Sequence, residues 1–518
     1  MAPSTHFSSM RPPFALFIAL LLVAFPAGAQ RWRDTAVYRL NKLQPHDCIV
    51  PEGDWQRSLD GMWAAKGGDS VRVPMHSPLT DSLLVLGRRF SLPPHWQGRR
   101  TVVSFAAVGP AADLYVNGRH VGYSEDSKSA AEWDITRYLN GGENHMELRL
   151  WRHPTGRQLE ADLPPGGITR SVVLYSLPST YISDVRIDAT LDTADYRTGR
   201  LDVMVDLSRE VQGGTVEVEI LGHTTRKGLR PGDWFTSLAP EVGLVEPWTD
   251  TTPALYPLTI RLLDASGREI HRLTKHIGFR RLAIRRGQLL LNGSPMEVRG
   301  LNRLEQSPLG GQHVPRGEMR RTAVALKQMG LNAVRCLRHP PDDYWVHLCD
   351  SLGILLWLQP TLCPDDAALL DDGHWLNPVL DRVFNLYRRH RNHPSVVAWC
   401  LGSDGLTGRC LDEAYRFLRS KDNSRPVVAP SLWSPRASDL ASPPNPSPSL
   451  LKRYLNNIPS HLPCIPALLT PTAGSLADFW QLVRTEPRLQ GAFLYGFQLH
   501  ELTPAFSTKQ SWVDDGGQ

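Results

Sequence analysis

The chain has 518 residues, of which 41% are hydrophobic and 21% are charged. These proportions are typical of folded globular proteins, and the length predicts about three or four domains. The 57 lysines and arginines exceed the 52 acidic residues only slightly, which gives a net charge of +5, and no stretch concentrates the basic residues. A nucleic-acid partner is therefore not expected.

The first 29 residues have the pattern of a secretory signal peptide. Arg11 precedes an apolar run from Phe14 to Phe25, and the small residues Ala27-Gly28-Ala29 follow. A basic start, a short apolar core and a small-residue site are the features of such signals. The run is shorter than the about 20 residues that span a bilayer. We predict cleavage after Ala29, export to the periplasm or the extracellular space, and no membrane span.

Residues 30–179 and 180–279 each predict an antiparallel β-sandwich. In the first block, short alternating segments surround Asn117-Gly118, a dipeptide typical of a two-residue hairpin. This pattern indicates a jelly-roll-like sandwich. The second block alternates apolar and polar residues over Arg200–Leu207, Gly214–Leu221 and Leu255–Asp264. Its length and small number of strands indicate an immunoglobulin-like sandwich.

Residues 280–518 predict a (β/α)8 barrel. Apolar strand-like segments such as Ile354–Gln359 and Val396–Leu401 alternate here with helical segments such as Asn377–Pro394. This alternation is typical of a parallel sheet, and catalytic residues in a barrel of this type lie at the carboxyl ends of the strands. The chain ends at Gln518, shortly after the predicted eighth strand. We therefore expect a barrel without its last helix.

The seven cysteines predict neither a disulfide framework nor a metal centre. Their number is odd, and no pair or Cys/His group has the spacing of a zinc site. Most of them lie in apolar strand-like segments, where a free cysteine packs as a small hydrophobic residue.

Several stretches resemble glycoside hydrolase family 2, and specifically the bacterial β-galactosidases. The resemblance rests on Ala111–Ser127, Ile277–Arg303, Leu326–Arg335, Arg391–Gly402 and Phe479–Phe493. It implies an N-terminal sugar-binding sandwich and a barrel that hydrolyses β-galactosides with retention of configuration. Such hydrolysis uses two carboxyl groups, an acid/base and a nucleophile, about 5 to 5.5 Å apart.

Both catalytic positions depart from the family pattern. Where the family has Gly-Asn-Glu after the fourth barrel strand, this chain has Gly402-Ser403-Asp404. Asp404 therefore takes the acid/base position with a side chain shorter by one bond of about 1.5 Å. Counting back from Trp480 assigns the nucleophile position to Cys464, which is not expected to be competent. No Asp or Glu occurs between Asp439 and Asp478, so a small shift in this alignment does not restore a nucleophile.

The resemblance also identifies candidate residues of a sugar pocket. Some keep the family's residue type, whereas Arg338 replaces a substrate-side histidine and Tyr495 replaces a tryptophan. The candidates are Asp162, Arg299, Asn302, Arg303, Arg335, Arg338, His339, Trp399 and Tyr495. The family's acidic segment after the third strand reads Leu358–Cys363 here, which removes a metal-binding glutamate. No metal or other cofactor is therefore expected.

Two hypotheses on function follow. The first is an exported glycan-binding protein whose hydrolysis of β-galactosides is much reduced or lost. The second is a slow retaining glycosidase that uses Asp404 with a recruited carboxylate such as Glu305, Asp365 or Glu501. Facing carboxylates at the barrel mouth would favour the enzyme, and an apolar mouth would favour the binder. The partner in both cases is a β-galactoside-type glycan, and the oligomeric state stays open.

Overall fold

In a computed structural model of the protein, the structure describes residues 37–47, 53–76, 79–164, 166–308, 311–429, 437–469 and 473–495. The signal-peptide prediction, Glu501 and the prediction of a missing last helix fall outside these residues. No helix in the described ranges has both the length and the apolar character needed to cross a bilayer.

The first sandwich consists of a seven-stranded sheet and a four-stranded sheet. In spatial order, the strands of the larger sheet are Arg39–Leu40, Arg119–Glu125, Ala111–Val116, Asn144–Trp151, Leu83–Phe90, Gly61–Ala65 and Ser70–Val73. Those of the smaller sheet are Ala131–Asp134, Arg100–Phe105, Val172–Leu177 and Gln56–Ser58. A further pair comprises Val108–Gly109 and Gly167–Ile168. Buried side chains of both sheets form one core, in which the rings of Trp63 and Trp133 contact Phe105 edge-on.

The second sandwich has the seven strands expected of an immunoglobulin-like domain. One sheet contains Ile182–Leu191, Gly199–Leu207 and Phe235–Leu238. The other contains His223–Leu229, Gly214–Ile220, Tyr256–Leu263 and Glu269–Ile277. Alternate residues such as Leu201, Val203 and Val205 are buried between the sheets, because successive side chains of a strand point to opposite faces. No α-helix interrupts either sandwich in the described ranges.

The barrel begins after a small three-stranded sheet of Leu282–Arg285, Gln288–Leu291 and Ser294–Pro295. Seven parallel strands follow, here numbered by barrel position: first Val298–Arg303, second Ala333–Cys336, third Leu355–Leu358, fourth Val396–Cys400, fifth Val427–Val428, seventh Ala467–Leu469 and eighth Gly491–Tyr495. The helices are Arg316–Gln328, Asp343–Leu352, Leu376–His390, Arg409–Lys421, Pro448–Asn457 and Ala473–Thr485.

An extended segment, residues 439–445, occupies the sixth barrel position. Asp439 donates its backbone N–H to the carbonyl of Val427 over 2.8 Å, and Ala441 and Pro444 form parallel bridges to Cys464 and Ala467. The strands therefore close around a common interior, and every carboxyl end lies at the same edge. We call this edge the barrel mouth.

The alternation of side chains along each strand separates two layers of the barrel. In the fourth strand, Trp399 points outward into the layer between strands and helices, whereas Cys400 points into the barrel. The interior is filled by large apolar side chains, and the rings of Trp357 and Phe493 meet edge-on with centroids 4.9 Å apart. The barrel is thus a packed core rather than a channel, as is usual for this fold.

The cysteines of the described residues are buried, as the apolar segments around them predict. Six are reduced and buried: Cys336, Cys349, Cys363, Cys400, Cys410 and Cys464. Cys48 lies outside the described ranges.

Candidate functional site

Asp404 lies at the barrel mouth, on the loop that follows the fourth strand. Gly402 turns this loop with a φ of +141°, a conformation that favours glycine because it has no Cβ. One carboxylate oxygen of Asp404 accepts a hydrogen bond from the guanidinium of Arg335, and the other accepts one from the hydroxyl of Tyr495. The Asp404 side chain is only 18% exposed. The structure therefore brings together three of the predicted site residues.

Arg335 is the buried cation of this group. It lies beside Asn302 in the sheet, on the second strand, and only 2% of its side chain is exposed. Burial alone would lower the pKa of the guanidinium, but the charge and hydrogen bond of Asp404, together with Tyr495 and Cys400, outweigh burial and raise the pKa. An ion pair therefore anchors the loop after the fourth strand to the second strand.

Several buried polar atoms at the mouth lack a partner. Within the described residues, no hydrogen bond reaches Nε or Nη1 of Arg335, either side-chain amide atom of Asn302, or Oγ of Ser403. Buried polar groups in folded proteins normally have a partner, so these unpartnered atoms are available to hydrogen-bond water or a ligand. The sequence predicted Arg335 and Asn302 at such a site but not Ser403.

The floor of the mouth is apolar. Below Arg335 the interior is lined by Trp357, Cys400, Ile465 and Phe493, together with other apolar side chains. Burial raises the pKa of the Cys400 thiol to about 12, so this cysteine stays protonated and uncharged. The carboxyl of Asp404 thus sits above apolar packing.

At the rim, Arg338 joins the barrel to the first sandwich. Its guanidinium lies 2.7 Å from the carboxylate of Asp162, so two further candidates are brought together. Arg338 has a φ of +70°, an uncommon conformation for a residue with a side chain, which persists only where the surroundings hold it. Gln359 holds it by accepting a hydrogen bond from its backbone N–H over 2.5 Å.

Gln359 was not among the predicted site residues. Its amide nitrogen also donates to the carbonyl of Gly402 over 2.9 Å, so this one side chain connects the loops after the second and fourth strands. It is fully buried. The only signal in the sequence was a polar residue directly after the apolar third strand.

The assignment of Cys464 to the nucleophile position is corrected by the structure. Cys464 precedes the seventh strand, donates its N–H to Arg488 and bridges to Leu489, two residues that precede the eighth strand. It therefore lies at the amino-terminal edge of the barrel, opposite the mouth. Burial raises the pKa of its thiol well above the usual value. Strand Ala467–Leu469 reaches the mouth instead and contains no carboxyl group.

Four other candidates do not face the mouth. Arg299 is exposed and bonds Glu297 and the carbonyl of Gly330. Arg303 points outward and stacks over the ring of Trp345 at 3.9 Å.

Trp399 also points outward and donates its indole N–H to Asp422 over 2.9 Å. His339 is buried and contacts the carbonyl of Pro340, and burial lowers its pKa to about 3. These side chains support the barrel wall because they lie on the outer face of their strands or in its loops.

Of the proposed second carboxylates, Glu305 and Asp365 lie within the described residues, and neither pairs with Asp404. Glu305 is buried, accepts from Arg170 over 2.8 Å and takes the backbone N–H of Asp342 over 2.8 Å. Burial would raise the pKa of Glu305, but the charge of Arg170 and its neighbours lowers it well below the usual range. Asp365 is exposed on the loop after the third strand. The carboxylate of Asp404 is hydrogen-bonded to Arg335 and Tyr495 instead.

Two β-sandwiches followed by a barrel with an acid after its fourth strand define the architecture of a multidomain glycosidase. Residues 48–178 match "Glycosyl hydrolases family 2, sugar binding domain", residues 180–280 match "Glycosyl hydrolases family 2", and residues 282–518 match "Glycosyl hydrolases family 2, TIM barrel domain". The chain belongs to glycosyl hydrolase family 2.

Curated bacterial enzymes are among its relatives. The chain is 30% identical over 463 residues to a β-galactosidase of Priestia megaterium, which covers 83% of this chain and 45% of that protein. It is 32% identical over 447 residues to β-galactosidase 2 of Enterobacter cloacae, covering 79% and 43% respectively. The chain thus spans less than half the length of these relatives.

Solved structures share the fold. A β-glucuronidase from Ruminococcus gnavus superposes with a TM-score of 0.77 at 17% identity, covering 88% of this chain and 94% of that one. A β-glucuronidase of Dictyoglomus thermophilum gives a TM-score of 0.72 at 18% identity, covering 88% and 92%. At this level of identity the likeness shows the three-domain architecture alone.

Proposed function

We propose that the protein is an exported, carbohydrate-binding member of family 2 in which hydrolysis of β-galactosides is much reduced or lost. The proposal rests on the hydrogen bonds of Asp404: one carboxylate oxygen accepts from Arg335 and the other accepts from Tyr495. The only acid at the acid/base position therefore serves as the partner of a buried cation. The proposed export rests on the signal-peptide pattern of residues 1–29.

The seventh strand also has no carboxyl group that could act as the nucleophile. A retaining mechanism needs a second carboxyl group about 5 to 5.5 Å from the first. Residues 440–477, which include the seventh strand, contain no Asp or Glu. General acid catalysis by Asp404 alone would supply about 10² to 10⁴-fold, which is short of the about 10⁶-fold or more that enzymes reach. The covalent two-step route therefore has no attacking group on this strand.

Sugar binding is supported by what the mouth retains. The unpartnered atoms of Asn302, Ser403 and Arg335 are donors and acceptors that the hydroxyl groups of a sugar can satisfy. The rim pair of Arg338 and Asp162 is partly exposed, with 32% and 45% of the side chains accessible, so a ligand can reach both. The resemblance to β-galactosidases makes a β-galactoside the first ligand to test.

The experiment measures hydrolysis and binding on the same preparations. We expect the wild type to hydrolyse 4-nitrophenyl β-galactoside no faster than the Asp404→Asn variant does. A bacterial family 2 β-galactosidase serves as the positive control. Robust wild-type turnover that vanishes in Asp404→Asn would overturn the loss of hydrolysis and favour the slow glycosidase with a recruited carboxylate.

Binding is followed by calorimetric titration with galactose and lactose. We expect Arg338→Ala to weaken binding at least tenfold, because this change removes the accessible guanidinium at the rim. Arg299→Ala is the matched control, since Arg299 is an exposed arginine that bonds groups away from the mouth. Equal weakening by both variants, or no binding by the wild type, would contradict the proposed sugar site.

A further inference from the structure

A second group of side chains with metal-binding chemistry lies away from the barrel mouth. His347 and Asp350 belong to the helix Asp343–Leu352, and His393 lies in the turn that leads into the fourth strand. Residues three apart on a helix share one face, so His347 and Asp350 point to the same side. One ligand atom from each of the three residues lies within 4.8 Å of the other two.

The carboxylate of Asp350 is already oriented. One of its oxygens accepts the backbone N–H of Ser395 over 3.0 Å, and the other lies 2.5 Å from Nδ1 of His393. The rings of His347 and His393 meet with their centroids 5.0 Å apart. The imidazole of His347 therefore packs against that of His393, beside the Asp350 carboxylate.

The opposite nitrogen of His393 also faces a carboxylate. Its Nε2 lies 4.0 Å from Oδ1 of Asp47, a buried residue that accepts from Asn392 over 2.7 Å and from Lys275 over 3.1 Å. Histidines that bind metals through one nitrogen commonly direct the other toward a carboxylate, which fixes the ring and its tautomer. This arrangement suits binding through Nδ1 of His393.

We propose that His347, Asp350 and His393 bind a first-row transition cation, with Zn²⁺ as the first candidate. Two imidazoles and one carboxylate are a donor set that zinc takes, leaving a fourth position for water, whereas Ca²⁺ and Mg²⁺ prefer oxygen ligands. Ligand atoms about 2.1 Å from zinc lie about 3.4 Å apart in a tetrahedron. Binding would release the proton between Nδ1 of His393 and Asp350 and widen their 2.5 Å separation by about 1 Å. His347 is exposed, so its ring can turn toward the ion, which also has an entry path there.

The site would tie the helix Asp343–Leu352 to the turn that begins the fourth strand, which carries Asp404 at its far end. The alternative is that Asp350 and His393 only hold that turn by their hydrogen bond, without an ion. These accounts differ in the role of His347. It is needed for a metal, but the contacts of Asp350 with His393 and Ser395 form without it.

The test titrates Zn²⁺ into tag-free, metal-stripped, full-length protein by calorimetry and repeats thermal unfolding with and without the ion. We expect His347→Ala to weaken binding at the tightest site at least tenfold and to abolish the Zn²⁺-dependent rise in Tm. His223→Ala, which removes an exposed histidine of the second sandwich, serves as the matched control and should behave as the wild type does. Mg²⁺ should raise the Tm of none of them.

Two results would overturn the site: a wild type whose Tm does not respond to Zn²⁺, or a His347→Ala protein that binds Zn²⁺ within tenfold of the wild type. Because the exposed His347 ring is not part of a packed core, this variant is expected to fold, and its Tm without zinc checks that directly.

Discussion

At the scale of single residues, Asp404 and Arg335 are coupled. The shorter acid after the fourth strand contacts a guanidinium of which only 2% of the side chain is exposed. Two of the guanidinium nitrogens have no partner within the described residues, so Asp404 provides the carboxylate that balances this cation. Removing one member of a buried pair destabilises a protein because the other charge stays behind without compensation.

We therefore expect Asp404→Asn to lower the free energy of unfolding by about 2 kcal/mol, because the neutral amide leaves Arg335 uncompensated. Guanidinium chloride unfolding followed by tryptophan fluorescence measures this change. Asp365→Asn is the control at an exposed aspartate near the same mouth and should stay within about 0.5 kcal/mol of the wild type. A more stable Asp404→Asn protein would instead indicate a strained acid kept for catalysis.

At the scale of elements, the helix Leu376–His390 connects the barrel to both sandwiches. Val379, Val383 and Leu386 recur at helical spacing and pack against the barrel strands. Arg382 lies on the same helix and bonds Glu160 of the first sandwich over 3.0 Å, with 1% of each side chain exposed. Arg388 pairs with Asp184 of the second sandwich. One helix thus combines packing against the barrel with ion pairs to both sandwiches.

We expect Arg382→Leu to lower the free energy of unfolding by about 3 to 5 kcal/mol, because Glu160 would remain buried without its cation. Burial would lower the pKa of Arg382, but Asp126 and Glu160 raise it, so the guanidinium is held charged by both acids. Denaturant unfolding checks the value. The control is Arg416→Leu on the helix Arg409–Lys421, where the side chain is 66% exposed. A loss equal to that of this control would show that the Arg382–Glu160 pair adds nothing to stability.

At the scale of the whole molecule, the interface between the first sandwich and the barrel contains buried ionisable side chains, and we expect one of them, Glu125, to change its protonation near neutral pH. Glu125 is buried at the end of its strand, where Tyr123 and the backbone N–H of Gly156 donate to it. Burial raises the pKa of Glu125 from 4.5 to about 7, although these hydrogen bonds and the charge of Arg382 lower it in part. The folded protein thus holds a proton here that the unfolded chain releases above its own pKa.

The pKa of Glu125 is raised in the folded state, so the protonated side chain contributes fully to the free energy of unfolding below about pH 4.5. This contribution is lost as the pH rises to about 7. Glutamine does not titrate, so the Glu125→Gln variant does not lose this stability. We expect its free energy of unfolding, relative to that of the wild type, to rise by about 3 kcal/mol between pH 4.5 and pH 7.5. Denaturant unfolding over this pH range measures the difference. Glu143→Gln, whose parent side chain is 66% exposed, is the control. A gap between Glu125→Gln and wild type that does not change with pH would refute the assignment.

The fold class and the order of the domains were predictable from the amino-acid sequence alone. Apolar residues recur every two positions in a half-buried strand and about every 3.6 positions in a helix. These patterns are local, so they can be recognised without knowledge of the tertiary contacts. Motifs around the fourth strand placed Asp404 after that strand, and the acid-free stretch of residues 440–477 excluded a carboxylate nucleophile there whatever its register. These conclusions depend only on neighbours along the chain.

Which side chains contact one another became known only from the three-dimensional fold. The register of the seventh strand follows from its pairing with the eighth, and that pairing moved Cys464 to the edge opposite the mouth. A shift of one residue reverses the face of a side chain, so the outward direction of Arg303 and Trp399 required the sheet itself. Asp350 and His393 lie 43 residues apart, and no local spacing marks them as neighbours. Such contacts arise from long-range packing, which a single sequence read along its length does not specify.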